Sequence, residues 1–536
     1  MTMTANSPRL ARTSALIGAG TLTSRVTGFL RVAALAALGF DRLTDVYNVA
    51  NSTPNIIYEL LLGGVLTATL VPLFVKSYED GDPDATTSIN TVAITFLLIG
   101  TIAGTLAAPW IIGFYFSVAV TGAGHGAQQA LATELLRWFM PQMLFYGITA
   151  LAIAMLNARR RFTAAAFAPA LNNVVVIAAL LAVGRAASAP PTVRSVLDDP
   201  LLILLLGLGT TAGVVAMTIV LIPPLRRSGA PLQWHWAPRH PAVQHLVRLS
   251  GWTVGYVAAN QVAFFVVLVL AYRNDAGPST YLAAFTFFQL PHGLVAVSVM
   301  TALGPEIASR HQAGDIDGLR TEFGRGLNLL LIVMIPAAAG MVVLARPLIS
   351  VVLDHGDFTA DSVSSTATTL RAFSVGLVAF SLYLYAVRTF YSMQNTRTPF
   401  LVNLVENGVN IATAFSFYAW WAIPGLAWSW TVAYTVAAIL AMEVLRRRLE
   451  RLGGRALAAT AGRVLIATAP AAVAAVAIVA AMGSSTSGES FVTLLAAACV
   501  GGILFLGVGR LVGLDLVSQL RSIVRRDDRT AAASDA

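Results

Sequence analysis

Apolar stretches of about 20 residues recur along the whole chain, separated by polar or basic connections. A helix needs about this length to cross the hydrocarbon core of a bilayer, whereas membrane β-strands are shorter and alternate apolar with polar positions. The pattern therefore predicts an all-α polytopic membrane protein with about 14 spanning helices. The predicted spans are 15–38, 47–74, 90–115, 136–157, 163–183, 200–222, 246–270, 279–303, 327–351, 370–393, 399–419, 423–444, 464–482 and 491–511.

The chain resembles itself at an offset of about 238 residues, which indicates an internal duplication. Asn157 and Arg159, for example, recur as Asn395 and Arg397. Each repeat holds six predicted spans, and because this number is even, both repeats begin on the same side of the membrane. We therefore expect an N-lobe and a C-lobe that face each other across a central cleft, with two extra C-terminal helices outside the duplication.

The predicted spans and the basic connections between them divide the chain into consecutive segments. The lobes follow the duplication, and each basic connection is assigned to the cytoplasm. The segments are the cytoplasmic N-terminus 1–14, the N-lobe 15–222, a linker 223–245, the C-lobe 246–444, a basic linker 445–463, the last two helices 464–511 and a cytoplasmic tail 512–536.

Composition excludes a soluble globular protein, because 57% of the residues are hydrophobic, only 11% are charged and the mean hydropathy is +0.73. The formal charge of +9 comes from basic residues concentrated in loops after even-numbered spans. Since positive loops stay in the cytoplasm, we predict a plasma-membrane protein with both termini cytoplasmic. Dispersed loop charge without interleaved aromatic residues does not indicate nucleic-acid binding.

The sequence lacks the usual motifs of catalysis and metal binding. It has a single cysteine, Cys499, and its seven histidines do not show the HExxH spacing of zinc enzymes. It contains neither a GxSxG nucleophile motif nor a Walker loop. We therefore predict a protein that is not an enzyme and that holds no cofactor or metal.

Two arginines, Arg25 and Arg31, lie inside the first predicted span. An arginine in the middle of a membrane helix costs about 2.5–3.5 kcal/mol, so two of them need a compensating role. On a helical projection they share one polar face with Ser24, which predicts a face turned toward water or an anionic ligand. We predict that these three residues bind substrate. Pairing of the arginines with Asp45 or Glu59 is the structural alternative.

Polar residues recur at helical spacing in other spans as well. Asn51, Asn55 and Glu59 follow one another every four positions in the second span. A cleft lined by these residues and the arginines would suit phosphate and sugar groups, so we add all three to the predicted substrate site. Hydrogen bonding between helices is the alternative role for such residues. A second polar group, in spans seven and eleven, consists of Asn260, Asn403, Glu406, Asn407 and Asn410.

The opening of the chain resembles that of the MurJ (MviN) lipid II flippases. The likeness includes the segment Ser24–Arg31, SRVTGFLR, with Thr53-Pro54-Asn55 further on and QLPHG at Gln289–Gly293. The resemblance covers most of the chain and agrees with the predicted number of spans. It implies alternating-access transport of lipid II, the undecaprenyl-pyrophosphate-linked peptidoglycan precursor, from the cytoplasmic to the outer leaflet. It also implies that Ser24, Arg25 and Arg31 bind the pyrophosphate.

Some charges of the family pattern are missing from this chain. Val32 stands in place of an acid, Tyr58-Glu59 in place of an arginine pair, Gly63 in place of an acid and Thr286 in place of an arginine. The cationic lining is therefore thinner than the family pattern implies. The second polar group, Glu406 with its neighbouring asparagines and Asn260, is left as the candidate ion or gating site. Whether Na+, H+ or the membrane potential drives transport stays open.

Two alternatives to lipid II transport follow from the sequence. A polysaccharide-lipid or drug exporter of the multidrug/oligosaccharidyl-lipid/polysaccharide superfamily would share the fold, although a cationic drug favours an acidic or aromatic cavity. A non-transporting scaffold would instead recruit cell-wall synthesis proteins through its cytoplasmic surface and the tail Arg521–Ala536. The expected partners are lipid II, membrane lipids and, for the scaffold, those proteins.

Overall fold

The computed structural model describes residues 7–60, 70–120, 124–230, 233–450, 453–483 and 486–514. Every regular element in these ranges is a helix. Ten of the described helices are long and apolar enough to cross a membrane, or eleven if a bent pair is one span. The predicted all-α polytopic fold is confirmed, while the total of about 14 spans stays a prediction.

The first compact unit consists of Met1–Ser279 together with the short segment His355–Phe358. Its helices are α1 (Ser7–Ala36), α2 (Arg42–Tyr58), α3 (Leu70–Glu79), α4 (Pro83–Ala119), α5 (Gly126–Phe139), α6 (Pro141–Ala158), α7 (Thr163–Ala186), α8 (Val193–Asp198), α9 (Pro200–Ile219), α10 (Ile222–Arg227) and α11 (Pro241–Ala271).

Packing inside unit 1 separates α1 from α2. Helix α1 lies along α7, which also packs against α9, whereas α2 packs against α5 and α6. Helix α11, the first helix of the predicted C-lobe, lies along α4 in this unit. An apolar core that includes Leu70, Phe74 and Leu151 joins α3, α4, α6 and α9. The polar residues predicted on α1 and α2 are therefore carried by two separately supported helices.

The segment His355–Phe358 lies against the connection between α1 and α2. The Asp357 backbone N–H donates to the Ala37 carbonyl oxygen at 3.2 Å. The rings of Phe40 and Phe358 meet edge to face with centroids 4.9 Å apart. Residues from far along the chain thus complete unit 1.

The second unit consists of Thr280–Asp354 and Thr359–Ala536. Helix α14 contacts α13, α15, α16, α18 and α19 and forms its centre. The elements are α12 (Gly277–Pro291, which begins in unit 1), a π-helical turn (His292–Ala296), α13 (Val297–Gln312), α14 (Ile316–Leu353), α15 (Ala360–Val375), α16 (Leu377–Ser392), α17 (Arg397–Leu449), α18 (Gly454–Met482) and α19 (Ser487–Leu511).

Helix α17 reverses direction within its length. Ala422 has φ 50° and ψ −128°, which is not helical. A Cβ on Gly425 would collide with the Phe417 carbonyl oxygen, a contact that a straight helix keeps far apart. The reversal falls between the predicted spans 399–419 and 423–444, so α17 contains both.

Local structure repeats along the chain, but at a shorter offset than the sequence comparison indicates. Asp82 caps the Ala85 N–H, and Asp315, 233 positions later, caps the Gly318 N–H. Arg160 and Gln394, 234 positions apart, both have φ 56°. The predicted offset of about 238 is therefore wrong by about one helical turn. The two offsets differ by about four positions, and residues four positions apart lie on the same face of a helix.

Candidate functional site

Helix α1 divides into a side toward α7 and a side that the protein leaves uncovered. Leu22, Val26 and Leu30 are 55%, 50% and 52% exposed, as expected for residues that face lipid. A Cβ on Gly20 would lie 2.7 Å from the Ala166 Cβ of α7, so glycine permits this close approach. Arg25 and Arg31 are half-buried between these two sides.

Part of the predicted polar face of α1 is used for packing. The Asn173 side-chain amide of α7 donates to the Ser24 carbonyl oxygen at 3.2 Å and to the Thr27 hydroxyl at 3.1 Å. A Cβ on Gly28 would lie 3.6 Å from the same amide nitrogen. Helix α7 thus contacts the backbone of this face at Ser24, and the half-buried Ser24 side chain stays a predicted member of the substrate site.

Arg25 and Arg31 form no ion pair with any residue in the described ranges. The alternative prediction that Asp45 or Glu59 neutralises them thus finds no support there. Arg31 instead lies close enough to Tyr146 of α6 for its charge to act on the phenol. Two half-buried guanidinium groups remain for an anionic ligand.

The polar stripe of α2 consists of Asn51, Asn55 and Glu59, and its Asn55 lies near Tyr146 of α6. Asn51 is half-buried, and its side-chain oxygen is buried without a hydrogen-bond partner in the described structure. The Asn55 side chain lies beside the Tyr146 hydroxyl. Glu59 is half-buried at the end of this stripe. Gly63, the next position of the predicted stripe, lies outside the described residues.

An aromatic pair lies beside this stripe. The rings of Tyr58 and Tyr146 have centroids 5.9 Å apart and an interplanar angle of 40°. Sequence reasoning missed Tyr146 because it is one polar aromatic residue in an apolar span. Only the fold shows that α6 brings its phenol to both Asn55 of α2 and Arg31 of α1.

The start of α2 forms a second polar cluster. The buried Asp45 carboxylate accepts hydrogen bonds from the Ser279 backbone N–H at 3.1 Å and from its hydroxyl at 2.9 Å. The Asn48 amide donates to the same hydroxyl at 3.0 Å. Arg42 donates to the Tyr272 carbonyl oxygen at 2.7 Å and pairs with Asp275 at 3.2 Å. The Asp45 carboxylate is thus hydrogen-bonded to the start of α12, and it forms no ion pair with Arg25 or Arg31.

The candidate ion or gating residues of span eleven lie together in α17. Glu406 is 1% exposed and accepts hydrogen bonds from the side-chain amides of Asn403, at 3.2 Å, and Asn407, at 2.8 Å. The Asn410 side-chain oxygen accepts from the Ser429 hydroxyl at 3.0 Å. Within the described chain Glu406 forms no ion pair, so amide groups alone solvate its carboxylate. Asn260 is half-buried on α11 in unit 1.

Thr286 and Val32, which stand in place of charged residues of the family pattern, both lie in the described ranges. The Thr286 hydroxyl donates to the Leu282 carbonyl oxygen of its own helix at 2.9 Å, and Val32 is half-buried on α1. Within the described ranges no three His, Cys, Asp or Glu residues are grouped so that they could hold a metal ion.

The fold is that of known membrane transporters. It matches the solved structure "Lipid II flippase MurJ, inward closed conformation" with a TM-score of 0.75 and 19% identity, over 94% of this chain and 99% of that chain. It also matches the inward-facing conformation of a multidrug resistance MATE family transporter of the MOP superfamily, with a TM-score of 0.63 and 13% identity, over 80% of this chain and 96% of that chain. The chain is therefore an all-helical polytopic membrane protein with a MurJ/MATE-like fold.

Sequence comparison narrows this class to one family. The family described as "Lipid II flippase MurJ" matches residues 35–497. The "Probable lipid II flippase MurJ" of Rhizobium meliloti (strain 1021) is 28% identical over 441 residues, 81% of this chain and 80% of the relative. The chain belongs to the lipid II flippase MurJ family, a family of transporters rather than enzymes. The resemblance noted in the sequence is confirmed.

Proposed function

We propose that this protein moves lipid II from the cytoplasmic to the outer leaflet of the bacterial plasma membrane by alternating access. The observation that carries the proposal is the state of Arg25 and Arg31, which are half-buried in a helix with a lipid-facing side and have no ion pair in the described chain. An unpaired arginine inside a membrane is retained when it meets water or an anionic ligand. The pyrophosphate of lipid II is such a ligand.

The substrate site proposed in unit 1 consists of the arginines and the stripe of α2. Guanidinium groups bind phosphate oxygens through paired N–H donors. Asn51 has a buried side-chain oxygen without a partner in the described structure, and Asn55 lies next to the phenol that Arg31 approaches. Amide groups of this kind suit the hydroxyl and acetamido groups of a sugar. Ser24 is included through its position one residue before Arg25.

The amide-solvated carboxylate of unit 2 supports a role in ion coupling or gating. Asn403, Glu406, Asn407 and Asn410 occupy one helix segment and are all buried. A buried carboxylate without a cationic partner is costly to keep unless it serves a function. We propose that protonation or Na+ binding at Glu406 accompanies transport, with the membrane potential as the other candidate driving force. Asn260 is the candidate contributor from α11.

Basic loops support the proposed orientation. Since positive residues follow the even-numbered predicted spans, both termini lie in the cytoplasm, and lipid II is collected from that side. The arginines of α1 disfavour a cationic drug as substrate. Recruitment of cell-wall synthesis proteins was assigned to the tail Arg521–Ala536, which lies outside the described residues.

The decisive experiment measures lipid II in each leaflet after the native protein is depleted and variants are supplied. We expect Arg25→Ala to lower the rate of lipid II transfer by about 10- to 100-fold, the equivalent of a charged hydrogen bond. Arg137→Ala is the matched control, because Arg137 pairs with Glu134 at an exposed position at 3.2 Å. Unchanged transfer in Arg25→Ala would refute the proposed site. Absence of transfer by the wild-type protein would refute the function.

A further inference from the structure

Side chains from three helices of unit 1 approach one another around Tyr146 of α6. Arg31 of α1 and Asn55 of α2 both lie close enough to act on its phenol. The Tyr58 ring of α2 lies 5.9 Å from the Tyr146 ring, and Glu59 follows Tyr58 in the chain. A cation and a carboxamide thus lie beside one phenol of an aromatic pair, and a carboxylate is next to the other in sequence.

The tyrosines are not an ordinary part of the apolar core. Both rings pack against the core of unit 1, yet both residues stay half-buried rather than enclosed. Within the described chain the Tyr58 hydroxyl makes no hydrogen bond, and it is not among the buried polar atoms that lack a partner. A tyrosine whose ring packs on a core offers an apolar face together with a polar hydroxyl, which suits a ligand with both apolar and polar edges.

We infer that Tyr58 and Tyr146 bind the sugar ring attached to the pyrophosphate, while Arg31 binds the pyrophosphate itself. This inference rests on the proposed function. The C–H groups of a pyranose carry partial positive charge and pack on the negative face of an aromatic ring. The phenol hydroxyls and the Asn55 amide then reach the polar substituents of the same sugar. The ligand class is a glycosyl-pyrophosphate lipid.

Glu59 sets the direction in which the ligand lies. Its carboxylate repels a phosphate group placed beside Tyr58 and attracts the hydroxyl and amide N–H donors of a sugar. Arg31 of α1, whose charge acts on the Tyr146 phenol, attracts the phosphate. The two charges therefore place the phosphate toward α1 and the sugar toward the end of α2. A lipid that carries only pyrophosphate would use half of this site.

The test compares two ligands on the full-length protein in lipid nanodiscs. The probes are lipid II and undecaprenyl pyrophosphate, which lacks the sugar, and the measurement is the dissociation constant of each. We expect Tyr58→Ala and Tyr146→Ala to weaken lipid II binding about tenfold, the loss of roughly one good contact, with undecaprenyl pyrophosphate binding unchanged. Arg31→Ala should weaken both ligands.

Phenylalanine variants separate binding from folding. Tyr58→Phe keeps the ring, so we expect a smaller loss of about threefold, confined to lipid II, from the missing hydroxyl. Tyr115→Phe is the control, because its hydroxyl bonds to the Leu268 carbonyl oxygen elsewhere in unit 1. Equal weakening of both ligands in the alanine variants, or no weakening of either, would overturn the inference. If wild-type protein transfers lipid II while this happens, the proposed function still stands.

Discussion

The Asp45 carboxylate accepts two hydrogen bonds from Ser279, one from the backbone N–H at 3.1 Å and one from the hydroxyl at 2.9 Å, although 234 positions separate the two residues. The same separation relates Arg160 to Gln394, which have matching backbone conformations. The contact between Asp45 and Ser279 therefore spans the same sequence separation as that pair, and it joins the start of α2 to the start of α12.

This pair should contribute measurably to stability. Asp45 is fully buried, so Asp45→Ala leaves the Ser279 N–H without its acceptor, while the Ser279 hydroxyl keeps the Thr44 hydroxyl as a partner at 3.1 Å. We expect this variant to lower the free energy of unfolding by about 1–3 kcal/mol. Ser279→Ala keeps the backbone donor and should cost about 1 kcal/mol. Denaturant unfolding in detergent measures both. Ser298→Ala is the control, because that exposed hydroxyl bonds only to its own helix, at the Leu294 carbonyl oxygen. Equal losses in all three variants would contradict the assignment.

The approach of α1 to α7 depends on the absence of a side chain at Gly20. A Cβ there would lie 2.7 Å from the Ala166 Cβ and 3.0 Å from its carbonyl carbon, so Gly20→Ala forces the helices apart. We expect a loss of about 1–3 kcal/mol in the free energy of unfolding. Gly18→Ala is a matched control two positions away, with nothing within 4 Å of its added Cβ. That variant should be neutral or stabilising, and a loss equal to that of Gly20→Ala would refute the steric explanation.

The amide-solvated carboxylate of α17 should respond differently to loss of charge and loss of the side chain. Glu406→Gln retains an oxygen that accepts from Asn403 or Asn407, so we expect near-native stability. Glu406→Ala removes the acceptor shared by the Asn403 and Asn407 amides, although Asn407 keeps its bond to the Asn403 carbonyl oxygen, and should cost about 1–3 kcal/mol. If Glu406 serves ion coupling, the glutamine variant should nevertheless transfer lipid II more slowly and lose its response to the ion gradient. Native transfer rate and gradient response in this variant would exclude the ion or gating role.

One loop carboxylate makes stability depend on pH. Asp315 lies in the connection between α13 and α14. Its carboxylate accepts hydrogen bonds from the Gly318 N–H and from the Arg310 guanidinium, and both lower its pKa. Its ionised form therefore stabilises the folded state above the unfolded pKa of about 4, and this contribution is lost as the pH falls through the lower folded value. Asp315→Asn should melt below wild type at pH 7, with the difference shrinking toward pH ~3. A constant difference would contradict this linkage.

The sequence predicted the features that depend on hydropathy and on the free-energy cost of placing charge in lipid. The apolar runs predicted an all-helical membrane fold because no other use of such lengths is stable in a bilayer. A charged side chain in lipid has a high free energy, and this argument identified Arg25 and Arg31 as candidate site residues. Neither argument needs the neighbours of a residue, so both are accessible from one chain. The grouping of Asn403 with Glu406 and Asn407 was accessible for the same reason, since all three lie on one helix.

The features that depend on neighbours were not accessible. A helical projection places Ser24 on the polar face of α1, but it does not show that Asn173 of α7 contacts the Ser24 carbonyl oxygen. Tyr146 was missed because its partners lie on two other helices. The repeat offset was displaced by one turn because side chains four positions apart are equivalent on a helix face. Tertiary packing decides each of these cases.

The position of His355–Phe358 has a consequence for biosynthesis. Synthesis proceeds from the N-terminus, and domains generally fold in that order. Unit 1, however, includes the Phe358 ring that packs on Phe40 and the Asp357 N–H that bonds to Ala37. A nascent chain that has emerged only as far as Ser279 lacks these contacts. The ribosome must therefore deliver α12, α13 and α14 before the early half of the protein acquires its last native residues.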